Sequence, residues 1–291
     1  MLETLWLAIL LGLYIGVVPV YLGMLPLNKL KQIPERWLNF LVSFTVGILF
    51  FLLIDLGSEA MEGADAFIAA MQVADTTTGS VPALDETIFN LVGEGLAPYA
   101  GYVILVAGLA IGVLGLVWTD ARIRKVSDTT SAQSMAWLIA LAIGLHNMGE
   151  GLAVGIAVSA GATALAASLV FGFALHNLSE GIAVIGPLAR EGRDLDLKRL
   201  AGLGALAGGP TIIGAFIGLS WFANSLAILF FAIAAGAVLY VVVEILGSTR
   251  KHEGWDPWMV HGGVLAGLLV MYVTRLFVAL GANSSATRDE L

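Results

Sequence analysis

Residues 132–158 read AQSMAWLIALAIGLHNMGEGLAVGIAV, and residues 162–188 read ATALAASLVFGFALHNLSEGIAVIGPL. Each run is predominantly apolar, holds no Lys or Arg, and is long enough for a helix to cross ~30 Å of hydrocarbon. The connection between them is tiny, so the two helices are expected to be antiparallel neighbours. Each carries a histidine and a glutamate at the same spacing: His146 and Glu150 in the first, His176 and Glu180 in the second. Ionisable side chains at membrane depth are costly and mark a functional path by default.

Working outward, the rest of the chain has the same character. Of 291 residues 58% are hydrophobic and only 12% are charged, with mean hydropathy +0.91; a soluble domain would carry about 25% charged residues. Eight apolar segments can be drawn, at 4–25, 36–57, 98–118, 132–158, 162–188, 198–221, 225–247 and 258–281. The fold class expected is an all-α integral membrane protein with eight transmembrane helices, a single transmembrane domain over 1–291. The first segment follows Glu3, not a basic leader, and reads as a retained helix.

Charge orients these segments. Of 14 Lys and Arg residues, 12 fall in four short stretches: Lys29/Lys31/Arg36, Arg122/Arg124/Lys125, Arg190/Arg193/Lys198/Arg199 and Arg250/Lys251. All four lie on one side of an eight-helix chain, which the positive-inside rule makes cytoplasmic, with both termini outside. A seven-helix count would break this alternation. On the other face the connections are tiny except for 58–97, which reads as an extracellular acidic loop. It holds Glu59, Glu62, Asp65, Asp75, Asp85, Glu86 and Glu94 without Lys or Arg. Such a loop is either plain solvated surface or an anionic mouth that concentrates cations. Six tryptophans, Trp6, Trp37, Trp118, Trp221, Trp255 and Trp258, lie near segment ends as an interfacial belt would. G-x-x-x-G pairs such as Gly151/Gly155 and Gly214/Gly218 predict close helix packing.

The chemistry lies in a repeated pattern. His146-Asn147-Met148-Gly149-Glu150-Gly151 and His176-Asn177-Leu178-Ser179-Glu180-Gly181 both read H-N-x-x-E-G, thirty residues apart. His at i and Glu at i+4 share one helix face. Asn at i+1 sits about 100° further round and can offer its amide oxygen. His146 lies about fourteen residues into its segment, or roughly 21 Å, and His176 is equally deep from the opposite side. Two imidazoles and two carboxylates therefore converge near mid-membrane. With no cysteine in the chain, a metal site must use N and O ligands, a set suited to Zn, Fe, Mn, Co or Cd. A structural alternative, a hydrogen-bonded His or a helix clamp, does not account for duplication at matched depth.

These residues carry a resemblance. The chain resembles the ZIP (Zrt/Irt-like protein) family of divalent-metal transporters, prokaryotic type, along essentially its whole length. Residues 47–55, Gly47 to Asp55, resemble the family's second helix, and 236–241 with Glu244 its seventh. The resemblance implies a 3+2+3 bundle in which helices 1–3 and 6–8 form an inverted repeat around the central pair. It implies inward metal movement through a one- or two-metal site at His146, Asn147, Glu150, His176, Asn177 and Glu180. Three departures bear on the site. Gly149 and Ser179 stand where many members have Pro, so any kink there must come from softer residues. Gly208-Gly209-Pro210-Thr211 offers no helix 6 carboxylate, and the helix 3–4 loop is short and without His.

Candidate residues continue along the route. Asp55 and Glu59, one turn apart, are candidate entrance ligands, and Glu244 a candidate exit ligand. His252 and His261 flank the start of helix 8, as weaker exit contacts. Arg275 is expected to snorkel or to pair with a carboxylate. The expected substrate is a divalent metal ion, zinc foremost. The expected setting is the plasma membrane, the inner membrane if the source is a Gram-negative bacterium, and the expected mechanism is alternating access or a channel-like path. Partners are the ion and the lipid, no nucleic acid, and a candidate homodimer. The rival readings are an intramembrane metal-dependent hydrolase and a membrane metal sensor; the chain is not expected to be an enzyme.

Overall fold

In hydrocarbon every backbone N–H and C=O must find its partner inside the protein, which leaves helices or a closed barrel. The computed structural model describes residues 1–76, 83–92, 99–126, 131–192, 196–220, 223–250 and 256–289, and among them no strand occurs. The order is α1 (Leu2–Gly12), a π-helical turn (Leu13–Val17), α2 (Val18–Met24), α3 (Leu27–Leu30), α4 (Glu35–Thr76), α5 (Ala83–Val92), α6 (Ala100–Val126) and α7 (Ser131–Ser159). There follow α8 (Thr163–Glu191), α9 (Leu197–Gly208), α10 (Pro210–Ser220), α11 (Asn224–Arg250) and α12 (Pro257–Asp289). Among the described residues eight helical spans are long and apolar enough to cross a membrane. The protein is an all-α, multi-pass membrane protein.

α7 and α8 are joined by a reversal at 160–162, where Gly161 adopts φ 72°, a left-handed conformation that glycine takes without a Cβ penalty. Both helices run unbroken through their H-N-x-x-E-G motifs. The breaks lie in the spans packed beside them. α2 packs on α8, and α10 on α7. The first span is interrupted by the π-helical turn just before Pro19, and the sixth where α9 gives way to α10 at Gly209-Pro210. These two spans touch each other: a methyl group on Gly16 would stand 2.6 Å from the Gly208 carbonyl oxygen. The G-x-x-x-G pairs of α7 and α10 meet face to face. A methyl on Gly155 would stand 2.6 Å from the Ala215 oxygen, and one on Gly218 3.0 Å from the Gly155 Cα. Such close approach is what lets helices associate where lipid removes the hydrophobic drive between them.

The sequence reads 58–97 as a loop, but α4 continues without interruption to Thr76 and α5 occupies Ala83–Val92. The reason is amphipathic spacing. Ala64, Phe67 and Met71 recur at helical intervals and are buried with Ala100, Ile104 and Ile228, while the acidic residues between them lower the hydropathy below that of a span. Glu94, and the side chain of Asp75, lie outside the described residues.

Asp85 is not part of an exposed mouth. It is buried, and its carboxylate accepts from the backbone N–H of Asn224 (3.0 Å) and Ser225 (2.9 Å) and from the Ser225 hydroxyl. It thus caps the N-terminus of α11 from α5, satisfying donors that have no partner within the helix.

Candidate metal centre

All six motif residues are buried, and His146, Glu150, His176 and Glu180 meet where α7 and α8 face each other. Glu150 sits at the middle. Its Oε1 lies 3.1 Å from His146 Nε2, one turn earlier on α7, and contacts His176 Nε2 of α8. The imidazole centroids are 5.9 Å apart. His146, Glu150 and His176 thereby bring one ligand atom each within 4.8 Å of one another. Glu180 joins through His146, its Oε1 standing 3.6 Å from Nε2. Ligand atoms around a tetrahedral ion with bonds of about 2.0–2.1 Å stand about 3.3 Å apart; the 3.1 and 3.6 Å separations around His146 lie near that spacing, while the Glu150–His176 contact is closer.

Burying polar atoms without partners is costly, yet both Glu180 oxygens, His146 Nδ1 and the Asn147 and Asn177 oxygens have no hydrogen bond. A divalent cation at the cluster would give Glu180, whose Oε1 stands 3.6 Å from His146 Nε2, the partner it lacks. The asparagine amides are fixed from behind by the broken spans. Asn177 Nδ2 donates to the Ile15 carbonyl at 2.9 Å and to Glu150 Oε2 at 2.9 Å. Ile15 lies four residues before Pro19, which has no N–H to offer it. Asn147 Nδ2 donates to the Ala207 carbonyl at 3.0 Å, in the last turn of α9, where carbonyls lose their helical donors. Each amide oxygen is left unpartnered. These two backbone carbonyls were not singled out in the sequence, although Pro19 is a local sign that the first of them lacks a helical donor.

A cavity of about 270 Å³ is lined by His146, Glu150 and His176 and also by Asp55, Glu59 and Arg275. Phe51, Phe173 and Phe231 supply aromatic wall, and Gly149 admits the Phe231 ring, since a methyl there would stand 2.6 Å from its Cε1. Arg275 reaches from α12 to contact Asp55, the carboxylate pairing read as one of its two expectations. Glu244 is half-buried on α11, one turn beyond Tyr240, whose hydroxyl donates to Asp120 at 3.0 Å; it does not line this cavity. His261 Nδ1 lies 2.7 Å from the Pro257 oxygen of its own helix, and His252 falls outside the described residues.

The fold and the cluster together define a multi-pass membrane protein with a buried imidazole–carboxylate centre. No family model matches the chain. Zinc transporter ZIP10 of Mus musculus is 31% identical over 163 residues, covering 51% of this chain and 19% of that protein. Zinc transporter ZIP10 of Homo sapiens is 30% identical over 164 residues, with the same coverage of 51% and 19%. The matched region is about a fifth of the length of these relatives. Over that matched region the chain is similar to these two zinc transporters.

Proposed function

We propose that the protein carries divalent transition-metal ions, zinc foremost, through the membrane into the cytoplasm by way of the His146/Glu150/His176 cluster. The observation that carries this reading is the meeting of three ligand atoms from two antiparallel helices within 4.8 Å, buried inside the bundle. Iron, manganese, cobalt and cadmium have compatible ligand preferences and are secondary substrates. Glu180 and the Asn147 and Asn177 oxygens complete the coordination as the ion sheds water. Asp55 and Glu59 form the entrance, and Glu244 serves release at the other end. The distribution of Lys and Arg supports termini outside and the basic connections inside, in the plasma membrane. The matching breaks in the first and sixth spans, each packed beside one of the central helices, support a 3+2+3 inverted repeat. Alternating access by shift of one bundle against the other follows from that arrangement.

The test is zinc flux into proteoliposomes containing the purified chain. Wild type takes up zinc above protein-free vesicles, and His176→Ala, reconstituted to the same level, loses at least about 90% of that rate. Uptake by His176→Ala equal to wild type sinks the site. Metal-dependent turnover without flux would favour the hydrolase.

A further inference from the structure

Asp55 and Glu59, one turn apart on α4, would repel each other at the rim of the cavity if left alone. They are not alone. Arg275 Nη1 contacts Asp55 Oδ1, and Arg275 Nη2 stands 4.0 Å from Glu59 Oε1. The side-chain exposures are 22% for Asp55, 46% for Glu59 and 49% for Arg275, so the group sits where the cavity meets its surroundings. A guanidinium that only snorkelled would run along its own helix towards the interface; this one turns across onto α4 and lines the same cavity as the His/Glu cluster.

We propose that Arg275 is a charge filter, a tethered cation that holds the entrance carboxylates until a divalent ion displaces it. This rests on the reading of the cavity as the ion's path. The attraction of a cation to the carboxylate pair scales with its charge. A monovalent ion offers no more charge than the guanidinium, which is covalently held at high local concentration and presents a planar fork to the carboxylates. It therefore loses the competition. A divalent ion is attracted twice as strongly and repels the guanidinium, so the two cannot share the carboxylates and Arg275 swings aside. Its half-exposed position leaves it room to do so.

Zinc uptake by proteoliposomes tests this in wild type, Arg275→Gln and Arg275→Lys. The neutral variant unmasks both carboxylates, so its KM for zinc falls about 10-fold. Raising K+ from about 20 to about 200 mM then raises that KM severalfold, while N-methylglucamine at equal ionic strength, which screens equally but is too bulky to enter, does not. Wild type responds equally to the two salts. Lysine keeps the charge but cannot span both carboxylates, so Arg275→Lys shows an intermediate KM, about 2- to 3-fold below wild type. A KM in Arg275→Gln equal to or above wild type, or equal effects of the two salts on it, overturns the filter. If the glutamine variant does not fold, Arg275→Lys decides: a KM and salt response identical to wild type overturn it. Wild type that takes up no zinc would instead refute the transport reading itself.

Discussion

Glu150 makes more of the site than any other residue, because one of its oxygens faces both imidazoles while the other accepts from Asn177. The amide nitrogen of Asn177 thus orients a carboxylate and anchors to the Ile15 carbonyl, and its oxygen stays without a partner. Asn177→Leu, similar in size, removes both donations and the oxygen while keeping the helix. Groups that orient metal ligands typically change affinity by 10- to 100-fold. Zinc binding to the purified Asn177→Leu variant, followed by calorimetry, is expected to weaken by about that range. Unchanged affinity would show that the amide is only a packing element. The residue types and their i, i+4 spacing were legible in the sequence, since periodicity assigns a helix face. Which carbonyl each amide nitrogen would find was not, because those carbonyls lie far along the chain.

At the scale of elements, the first span is shaped by a proline that withholds a hydrogen bond. Pro19→Ala supplies the missing N–H to the Ile15 carbonyl. The variant is expected to straighten the π-helical turn and release Asn177, lowering zinc affinity about 10-fold with little loss of stability. Affinity equal to wild type would show that the carbonyl serves both donors. The cap of α11 gives a different kind of expectation. Asp85→Ala leaves buried N–H groups without an acceptor, at a cost of about 1–3 kcal/mol, and lowers Tm while zinc affinity in the folded fraction is retained. An unchanged melting temperature would mean that water replaces the carboxylate. α5 and the long end of α4 escaped the hydropathy reading for one reason: their apolar stripe is narrow and flanked by acids, so average hydropathy marks them as loop although their periodicity is helical.

For the whole molecule, the decisive question is sidedness. The chain has no cysteine, so single introduced thiols report topology without background. Ala160→Cys in the α7–α8 reversal and Lys198→Cys at the start of α9 are both exposed positions on opposite ends of the bundle. A membrane-impermeant maleimide is expected to label Ala160→Cys in intact cells and Lys198→Cys only after permeabilisation. The reverse pattern would invert the orientation and, with it, the direction of entrance and release.

Apolar run length, the clustering of Lys and Arg, and the twice-written H-N-x-x-E-G by themselves determined an eight-span membrane protein with a central His/Glu site. Those are local properties, set by the hydrocarbon thickness and by 3.6 residues per helical turn. Only the tertiary structure decided that Asn177 hangs on a carbonyl 162 residues away, that Asp85 caps a helix 140 residues on, and that Arg275 crosses to Asp55. Each of these joins separate helices through packing, and no periodicity along a chain records which turn of one helix will lie against which turn of another.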